Sequence, residues 1–405
     1  MKLFKVGCCV RDDILGIPSN DIDYEVIDSS EEEMIQNGFI KVGNDFPVFL
    51  HPITKEEYAL ARKEFSIGDG YTDFTFEIKD VTLKESLSRR DLTINSLAQD
   101  MNTGEIIDYF NGMDDLKNGI LRHTSEAFIE DPVRILRIAR FAARYNFVIA
   151  PETVVLIKGM IEKGMLNSLV PDRVFKELEK VLKLNHPEIF FQVLDDLGAL
   201  EILFPELSAL KGQTQPEQWH PEGDAFIHTM LVLQEAVQHT DDIIIRFASL
   251  VHDLGKGVTP KDVLPKHIGH ELAGVPIVEH FCDRLRIPTD WKVVAMMTSS
   301  EHLLIHKFNE LNSKTVLKMF ERCDVFRKPE NFRKMITASI CDANGRGNTI
   351  KKVDFVKVER IMDLVAQTKA TDIKHLIAKG LTGERMRTDV RRERLNTIKK
   401  VRVEV

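Results

Sequence analysis

The sequence predicts an α+β protein in which a strand-rich N-terminal region is followed by a longer, mostly helical region. Short apolar runs separated by Gly and Asp turns dominate residues 1 to about 110. From about residue 115 the apolar side chains recur at helical spacing instead. Because 405 residues are more than one ordinary core needs, we expect roughly two to four domains.

The individual elements follow from local patterns. Runs bounded by turn residues predict strands at Leu3–Val6, Tyr24–Ile27, Phe46–Leu50 and Tyr58–Ala61. Helical spacing of apolar residues predicts amphipathic helices at residues 131–145, 152–163, 172–184 and 187–199. Gly, Gln, Pro and Trp predict a linker at Lys211–Gly223, after which residues 225–345 are again mostly helical. A charged helical region, about 351–400, follows.

Composition limits the classes of function. Hydrophobic residues make up 43% and charged residues 29% of the chain, as in soluble globular proteins. The sequence shows neither an apolar run of membrane-spanning length nor a secretory signal pattern, and its five cysteines form no C-x-x-C pair. We therefore expect a cytoplasmic protein without a membrane partner. The net charge of −8 means that any contact with nucleic acid has to be local.

Two carboxylates follow the first predicted turn. Gly7 permits a tight turn, and Asp21 and Asp23 stand two apart in a predicted strand, so their side chains share a face. Paired carboxylates beside a turn whose amides can hold phosphate suit a Mg²⁺–nucleotide site, and Arg11 can pair with a triphosphate. Asp-x-Asp alone also fits a turn with surface acids; Gly7-Cys8 and Arg11 upstream favour the metal site.

Two further segments carry arginines. Arg89 and Arg90 before an apolar run fit either a solvated helix start or contacts to nucleotide phosphates. Asp131, followed by a proline, predicts a helix start with Asp131 as N-cap. That helix carries like charges every three residues on one face, which is easier to understand if an anion or a planar polar ligand lies against them: Arg134, Arg137 and Arg140.

Histidines are concentrated in the later helical region. His252 and Asp253 stand together at the end of one apolar helix, and His228 precedes another. With a later Asp, these residues could bind a divalent metal by mixed nitrogen and oxygen ligation. Further candidate ligands are His267, His270, His302 and His306. A single histidine is more often only hydrogen-bonded in a core, but six near a His-Asp pair favour a metal site.

The C-terminal region from Arg385 to Arg402 contains eight basic residues against two acidic ones. It fits a surface that binds a polyanion and equally a solvated charged helix.

These motifs together resemble the tRNA nucleotidyltransferases of the bacterial, class II CCA-adding type. The turn and the Asp-x-Asp pair are similar to the signature of the polymerase-β superfamily. Arg89-Arg90-Asp91 and Glu130-Asp131-x-x-Arg134 are similar to the nucleotide-binding motifs of class II. Residues 172–177 resemble the neck helix, and His228, His252 and Asp253 resemble the HD phosphohydrolase domain that some bacterial members carry. The motifs occur in family order over essentially the whole chain to about residue 345.

The resemblance implies a polymerase-β-like head with a mixed sheet, then a helical neck, an HD domain and a tail. The implied bounds are 1–112 for the head, 113–210 for the neck, 224–345 for the HD domain and 346–405 for the tail. The implied activity is addition and repair of the 3′-terminal CCA of tRNA from CTP and ATP. In that reaction the tRNA 3′-hydroxyl attacks the α-phosphate and diphosphate leaves. Assembly as a monomer or a dimer is compatible with the sequence.

The resemblance also assigns roles at the nucleotide site. Asp21 and Asp23 would hold Mg²⁺ and carry catalysis. Cys8, through its backbone, with Arg11 and Arg90 would contact the triphosphate. Asp131 and Arg134 would recognise the Watson–Crick edges of CTP and ATP, completed by Arg137 and Arg140; two donors and two acceptors can match C or A but pair poorly with G or U.

One position departs from the family, which has Gly-Gly or Gly-Ser where this chain has Gly7-Cys8. If the turn required a positive φ at Cys8, the cysteine would cost roughly 1 kcal/mol. If Cys8 acts only through its amide, the substitution is tolerable.

For the HD domain the resemblance implies phosphatase, 2′-nucleotidase and 2′,3′-cyclic phosphodiesterase activity. It would depend on a divalent transition metal such as Ni²⁺, held by His228, His252 and Asp253. We expect Asp342 rather than Asp324 as the fourth ligand, because the HD pattern ends on an aspartate in a late helix.

Other functions remain open at this stage. A poly(A) polymerase shares the head and neck motifs. The protein could also be mainly an HD phosphohydrolase with a nucleotide-sensing head, or an RNA-binding module without activity, although acids beside an RNA phosphate would weaken binding.

Overall fold

The computed structural model describes residues 1–19, 22–42, 48–61, 63–66, 74–77, 81–347 and 351–403. The chain divides into two compact units, Met1–Leu169 and Val170–Val405. Every strand among the described residues lies in the first unit.

The first unit contains, in chain order, β1 (Lys2–Val6), α1 (Cys8–Ile14), β2 (Asp23–Ile27), α2 (Glu31–Gln36), β3 (Ile40–Val42), β4 (Val48–Leu50), β5 (Glu57–Leu60), β6 (Lys63–Ser66), β7 (Phe74–Glu77), α3 (Leu83–Ser88), β8 (Leu97–Asp100), β9 (Ile106–Asp108), α4 (Gly112–Asn118), β10 (Ile120–Leu121), α5 (Val133–Tyr145), β11 (Val148–Ile149) and α6 (Pro151–Glu162). Short 3₁₀ helices span Thr93–Asn95, Glu126–Glu130 and Met165–Ser168.

Among the described residues, seven strands form one mixed sheet in the order β3-β4-β5-β2-β1-β8-β9. β2 and β5 run parallel, whereas β1 runs antiparallel to β2 and to β8. β6 and β7 form a separate antiparallel pair, and β10 pairs with β11 in parallel. The α+β class and the mixed sheet that the sequence predicts are therefore confirmed.

The sheet has an apolar core on each face because side chains alternate along its strands. One core includes Phe4, Val6 and Ala98 of the central strands with Leu83 and Leu87 of α3. The other packs Val26, Phe49, Tyr58 and Leu60 against Met34 of α2. The helix α2 begins at Ser30, whose side chain accepts a hydrogen bond from the Glu33 amide.

The predicted strands coincide with β1, β2, β4 and β5, apart from Phe46 and Pro47, which lie outside the described residues. The remaining strands lack a clear alternating pattern. β8, for example, reads Leu-Ala-Gln-Asp, and its extended form is set by hydrogen bonding to β1 and β9. The four predicted helices correspond to α5, α6 and the first two helices of the second unit.

The second unit contains α7 (Pro171–Leu182), α8 (Pro187–Leu197), α9 (Leu200–Leu203), α10 (Pro205–Ser208), α11 (Ala225–His239), α12 (Ile243–Val251), α13 (His270–Arg284), α14 (Thr289–His306), α15 (Ser313–Arg322), α16 (Pro329–Asn344), α17 (Val356–Lys369), α18 (Lys374–Ala378) and α19 (Gly383–Val403). Short 3₁₀ helices span Leu254–Val258 and Phe308–Glu310.

At the centre of the second unit, α12 packs against α11, α14 and α16, and α14 also packs along α13. Their contacts bury Ile245, Ala248, Val294 and Ala338. α11 begins three residues before His228, capped by Asp224, so His228 lies within the helix rather than ahead of it. No helix in the described part of the chain combines the length and apolar character needed to cross a bilayer.

Candidate active sites

The sheet topology collects chemically active residues at one edge of the first unit. Val6 at the end of β1 is opposite Asp23 at the start of β2, and Asp23 is in turn beside Glu57 at the start of β5. Gly7 directly follows Val6, and its amide donates to the carbonyl of Leu97 at 3.0 Å. The turn at Gly7 and the carboxylates of Asp23 and Glu57 therefore meet at the same edge. Asp21 lies outside the described residues.

Gly7 is required by both its conformation and its surroundings. Its φ of 82° is in the left-handed region, and a Cβ atom there would lie 2.3 Å from Nη1 of Arg90. The missing side chain leaves room for the Arg90 guanidinium against the turn. Cys8 is the first residue of α1 and is not among the residues with positive φ. The strained position is therefore Gly7, and Cys8 carries no backbone penalty.

A cavity of about 290 Å³ opens beside this edge. Its charged lining, here called the sheet-edge site, consists of Asp23, Glu25, Glu57, Arg89, Arg90 and Arg134. Nη2 of Arg90 lies 3.5 Å from the Glu25 carboxylate, and Nη2 of Arg89 lies 2.6 Å from that of Glu130. The carboxylates on the strands can bind a cation. The arginines that line the same cavity can bind an anion.

Arg134 is held in the cavity wall by the backbone. Its Nη1 donates to the carbonyl of Ala127 and its Nη2 to that of Arg89, both at 2.7 Å. Burial lowers the pKa of Arg134, against the pull of Asp91 and Asp131. These contacts fix the plane of the guanidinium. Asp131 accepts a hydrogen bond from the Val133 amide at 3.1 Å, so its carboxylate caps α5 as predicted, although the helix begins at Val133.

Arg137 forms a partly buried ion pair with the buried Asp91. Nε of Arg137 donates to Oδ2 of Asp91 at 2.7 Å, while Oδ1 accepts from Asn95 at 2.8 Å and from the Leu92 amide at 2.9 Å. Burial would raise the pKa of Asp91, but Arg137 and Asn95 outweigh it and lower the pKa to about 2. The charge of Arg137 is thus balanced within the protein.

Arg11 is fully buried and is not part of the cavity lining. Its guanidinium contacts the carboxylate of Asp12 at 2.7 Å and the side-chain oxygen of Asn95, and it lies 4.9 Å from the ring centre of Tyr145. Arg140 is also buried, 4.4 Å from the ring centre of Phe141. Of the predicted nucleotide-binding residues, the structure brings Arg90 and Arg134 to the cavity with Asp23. The cavity lining does not include Cys8, Arg11, Asp131, Arg137 or Arg140.

In the second unit, six buried side chains converge; they are here called the histidine–aspartate cluster: His228, His252, Asp253, His270, His302 and Asp342. Nε2 of His228 lies 3.0 Å from Oδ1 of Asp342, and Nε2 of His252 lies 3.1 Å from Oδ2 of Asp253. The structure therefore brings His228, His252, Asp253 and Asp342 together. Asp324 lies elsewhere, paired with Arg327.

The fold sets the tautomers of the cluster. His252 Nδ1 lies 2.7 Å from the carbonyl of Ser249, and His270 Nδ1 lies 2.7 Å from that of His267. His302 Nδ1 lies 3.0 Å from the carbonyl of Ser299. A carbonyl only accepts, so each Nδ1 carries a hydrogen, and the Nε2 atoms point into the cluster; a ring without a proton on Nε2 presents a lone pair there. This is the arrangement that metal-binding histidines adopt.

Neighbouring positive charge stabilises the two buried carboxylates of the cluster. Burial disfavours the charged imidazole of His252, but Asp253 and Asp342 outweigh burial and raise its pKa to about 10. Burial also opposes ionisation of Asp253 and Asp342, yet neighbouring histidines, with Lys256 beside Asp253, hold both pKa values well below the usual range. Burial lowers the pKa of His302 to about 3. The donor set of imidazole nitrogens and carboxylate oxygens fits a divalent transition metal.

The other histidines have different partners. Arg346 donates to Nδ1 of His306 at 2.9 Å, so the hydrogen of His306 is on Nε2, which lies 2.9 Å from Oδ2 of Asp342. The hydrogen-bond partner of Nε2 is the carbonyl of Ser339 at 3.0 Å, so His306 packs against the Asp342 carboxylate. His267 contacts Thr259 at 2.8 Å and the carbonyl of Thr214 at 3.1 Å.

Sequence reasoning missed three residues around these sites. Glu222 lies 2.8 Å from Nδ1 of His228, although at an angle too oblique for a good hydrogen bond, and Lys256 lies 2.5 Å from Oδ2 of Asp253. Lys256 had a sequence signal, since it follows Asp253 by three residues in a helical turn. Glu222 lies in the segment predicted as a linker, and Glu57 is brought to Asp23 only by strand pairing.

Four members of the cluster line a cavity of about 490 Å³ together with Trp219, Lys256, His306 and Arg346: Asp253, His270, His302 and Asp342. A substrate could thus reach the buried donors from a partly cationic opening.

Three segments of the chain match known domain families. Residues 3–122 match the poly A polymerase head domain, and residues 146–211 match the "Probable RNA and SrmB-binding site of polymerase A". Residues 220–326 match the HD domain. Asp342 lies beyond that match, although the structure places it in the cluster.

Solved structures of CCA-adding enzymes match nearly the whole chain. The Thermotoga maritima enzyme complexed with tRNA is 20% identical, with a TM-score of 0.61 over 100% of this chain and 88% of that chain. A complex with CTP is 21% identical, with a TM-score of 0.63 over 98% and 86%. A complex with ATP is 20% identical, with a TM-score of 0.64 over the same shares. The chain has the fold of the CCA-adding enzymes. The order of the matched segments in this chain, with a polymerase head, an RNA-binding segment and an HD domain, together with this shared fold, confirms the resemblance that the motifs indicated.

The basic C-terminal helix α19 is only partly available to a polyanion. Arg391 pairs with Glu321 at 2.7 Å, and Arg402 donates to the carbonyl of Phe308 at 2.8 Å. Arg394 lies 3.9 Å from the ring centre of Phe326. These contacts show that part of the charge serves to attach the helix to its own unit.

Proposed function

We propose that this protein adds and repairs the 3′-terminal CCA of tRNA, using CTP and ATP without a nucleic-acid template. The observation that carries the proposal is the sheet-edge site. It places Asp23 and three arginines around one cavity, in a chain that contains head, RNA-binding and HD segments in that order and has the fold of CCA-adding enzymes. Domain limits at 1–112, 113–210, 224–345 and 346–405 stay a prediction.

At the sheet-edge site, Asp23 and Asp21 would hold Mg²⁺, and Glu57 stands beside Asp23 as a further carboxylate. The metal would lower the pKa of the tRNA 3′-hydroxyl and neutralise the diphosphate that leaves. Arg90, seated on Gly7, faces the same cavity and would bind the triphosphate. The Cys8 amide and Arg11 remain predicted contacts; the burial of Arg11 favours a role in positioning the turn.

Base recognition would fall to Arg134 and Asp131. Each terminal nitrogen of a guanidinium carries two hydrogens, and Arg134 gives one from each to a carbonyl. The remaining hydrogen on each nitrogen can be donated to an acceptor on the base of CTP or ATP. The carboxylate of Asp131 can accept a hydrogen bond from the amino group of that base. Arg137 would act through its pair with Asp91, and Arg140 stays a predicted part of the site.

The HD domain would hydrolyse phosphate esters, as a phosphatase, 2′-nucleotidase and 2′,3′-cyclic phosphodiesterase. His228, His252, Asp253 and Asp342 would hold a divalent transition metal such as Ni²⁺. The metal would polarise the phosphoryl group. Lys256 and Arg346, which face the adjoining cavity, would attract the phosphate.

The test uses purified protein, tRNA ending before CCA, Mg²⁺, and CTP and ATP singly and together. We expect sequential addition of two C and one A. Asp23→Asn should abolish addition and leave hydrolysis of 2′,3′-cyclic AMP intact, whereas His252→Asn should do the reverse. Asp342→Asn tests the fourth proposed ligand of the HD domain in the same assay, and Asp324→Asn is its matched control. Absence of any addition at all nucleotide concentrations would refute the proposal.

The match to a poly A polymerase head favours one second candidate, a poly(A) polymerase. The same assay separates the two functions. Repeated incorporation of A from ATP alone would support the second candidate, and addition that stops after C-C-A would exclude it.

A further inference from the structure

We propose that Glu25 is a positioning residue of the sheet-edge site. Its carboxylate would hold the Arg90 guanidinium over Gly7, where Arg90 can bind the triphosphate of CTP or ATP. The inference rests on the proposed nucleotidyl transfer and deepens it, because it separates a carboxylate that acts through an arginine from Asp23, which would hold Mg²⁺.

Glu25 lies on a face of β2 that is apolar deeper in the first unit. Side chains alternate along a strand, so Asp23, Glu25 and Ile27 point to the same side. Asp23 is exposed at the sheet edge, and Ile27 is buried in the apolar core that also contains Phe4. Glu25 lies between them, is 4% exposed, and is opposite Phe4 on β1. An apolar side chain would therefore continue the core at this place.

The carboxylate of Glu25 is poorly paired for a buried charge. Its Oε1 is buried and has no hydrogen-bond partner among the described residues. Its Oε2 lies 3.5 Å from Nη2 of Arg90, which is longer than a good hydrogen bond. Because the Arg90 side chain is also 27% exposed, this contact offsets little of the cost of burying the charge. Stability does not explain Glu25, which leaves a role in the cavity that it lines.

Arg90 differs from the other arginines of the cavity in how its guanidinium is held. Arg89 contacts the carboxylate of Glu130 at 2.6 Å, and Arg134 donates to two backbone carbonyls at 2.7 Å. The contact between Arg90 and Glu25 is longer. A guanidinium carries several N–H donors, so Arg90 can donate to a phosphate oxygen while the charge of Glu25 continues to attract it.

Two neighbouring strands determine where Arg90 lies. Its Nη1 lies against Gly7, where a Cβ atom would be 2.3 Å away, and its Nη2 faces Glu25. Gly7 follows β1 and Glu25 belongs to β2, and these strands pair with Val6 opposite Asp23. The strand pair that fixes Asp23 therefore also fixes the position of Arg90. Such a common frame suits a metal ion and an arginine that act on one triphosphate.

The charge of Glu25 makes the sign of the expected effect informative. A carboxylate near a triphosphate repels it, so removal of Glu25 alone would improve nucleotide binding. If Glu25 holds Arg90 in place, its removal weakens binding instead. The direction of the change in KM therefore separates positioning from simple repulsion.

The experiment uses the purified full chain with two substitutions. Glu25→Gln keeps the shape of the side chain and removes the charge, and Glu25→Val suits the apolar face. We expect both to raise KM for CTP and ATP by roughly fivefold to fiftyfold, with kcat within about twofold of wild type and KM for tRNA unchanged. The dissociation constant of inorganic diphosphate with Mg²⁺, measured by isothermal titration calorimetry, should rise with KM. Glu25→Val should unfold at the same urea concentration as wild type or a higher one.

A double-mutant cycle tests whether Glu25 acts through Arg90. In an Arg90→Met background, Glu25→Val should change KM for CTP by less than about twofold. Asp115→Asn is the matched control, because Asp115 is 5% exposed and pairs with Arg122 at 3.0 Å but is not part of the cavity lining. It should lower stability and leave KM for CTP within about twofold of wild type.

A lower KM in Glu25→Gln would overturn the inference and leave only repulsion. An unchanged KM, or a rise in KM that persists in the Arg90→Met background, would also overturn it. If the wild type added no nucleotide to tRNA, the proposed function would fail, while the dissociation constants of diphosphate would still test Glu25. Absence of diphosphate binding to the wild type would refute both.

Discussion

The sheet-edge site and the histidine–aspartate cluster both gather carboxylates, but they balance those charges differently. In the first, Asp23 and Glu57 are exposed, and arginines surround a cavity at the edge of a sheet. In the second, Asp253 and Asp342 are 1% and 2% exposed and face imidazole nitrogens. Solvent screens charges at the open edge, whereas burial makes the cluster depend on a cation that the protein itself must retain.

The difference predicts how each site responds to change. The open site should tolerate substitutions structurally and lose function through substrate contacts. The buried cluster should lose function and metal together. Around the open site, the paired residues behind the cavity wall, such as Asp91 with Arg137, should carry the stability.

The largest effect is expected for Asp253→Asn. The amide keeps the shape of the carboxylate but removes its charge and one acceptor, so hydrolysis of 2′,3′-cyclic AMP should fall by about 1000-fold or more. His306→Gln, which changes a side chain packed against Asp342 and hydrogen-bonded to Ser339, should lower it by roughly 10- to 100-fold. Both are measured as kcat/KM at saturating Co²⁺. CCA addition serves as the internal control, and retention of a tenth of the hydrolytic activity in Asp253→Asn would contradict the assignment.

Arg90→Met tests the open site. Among the described residues, the Arg90 side chain makes a 3.5 Å contact to Glu25 and lies over Gly7, so stability should change by less than about 1 kcal/mol. Loss of the triphosphate contact should lower kcat/KM for CTP and ATP by about 100-fold, or about 2.7 kcal/mol. Steady-state kinetics of CTP addition measure the effect. If Arg90→Met unfolded the first unit without a specific loss of kcat/KM, the contrast between the open site and the buried cluster would be wrong.

Asp91→Asn is expected to act on stability. Arg137 and Asn95 lower the pKa of Asp91 from its ordinary value of 3.8 to about 2, so ionised Asp91 stabilises the first unit by about 2 kcal/mol above pH 4. That stability is lost as the pH falls from about 4 toward 2. Hydrogen exchange of the β1 and β8 amides across a urea series measures the free energy of unfolding of the first unit. This free energy should differ between wild type and variant at pH 7, and the difference should disappear near pH 2. An unchanged difference at both pH values would exclude this explanation.

The smallest effect is expected for Gly7→Ala. A positive φ costs a residue with a Cβ atom about 1 kcal/mol, and the new atom also displaces Arg90. Gly16→Ala is the matched control, because Gly16 has a φ of 68° with open space around it. Both variants should lose similar stability, but Gly7→Ala alone should raise KM for CTP, by roughly threefold to tenfold. Cys8→Ser should change stability by less than about 0.5 kcal/mol; a large loss would place the strain at Cys8 after all.

The sequence by itself determined the local parts of this protein. Alternation of apolar residues indicated the central strands, and spacing of three and four indicated the helices, because these patterns depend only on neighbouring residues. Asp131 capping the start of α5, and the His252-Asp253 pair at the end of α12, are likewise local, and the order of motifs along the chain was enough to indicate the family.

Only the tertiary structure decided which of these residues meet. Arg11 has the same sequence signal as Arg90, yet burial against Asp12 and Tyr145 removes it from the cavity. The pairing of β2 with β5 brings Glu57 beside Asp23 over more than thirty intervening residues. Among the histidines, the partner of Nδ1 separates His270 and His302, whose Nδ1 donates to a carbonyl, from His306, whose Nδ1 accepts from Arg346 and whose Nε2 donates to the carbonyl of Ser339. Such choices depend on carbonyls and carboxylates supplied by distant segments, and the spacing of residues along a chain does not encode those contacts.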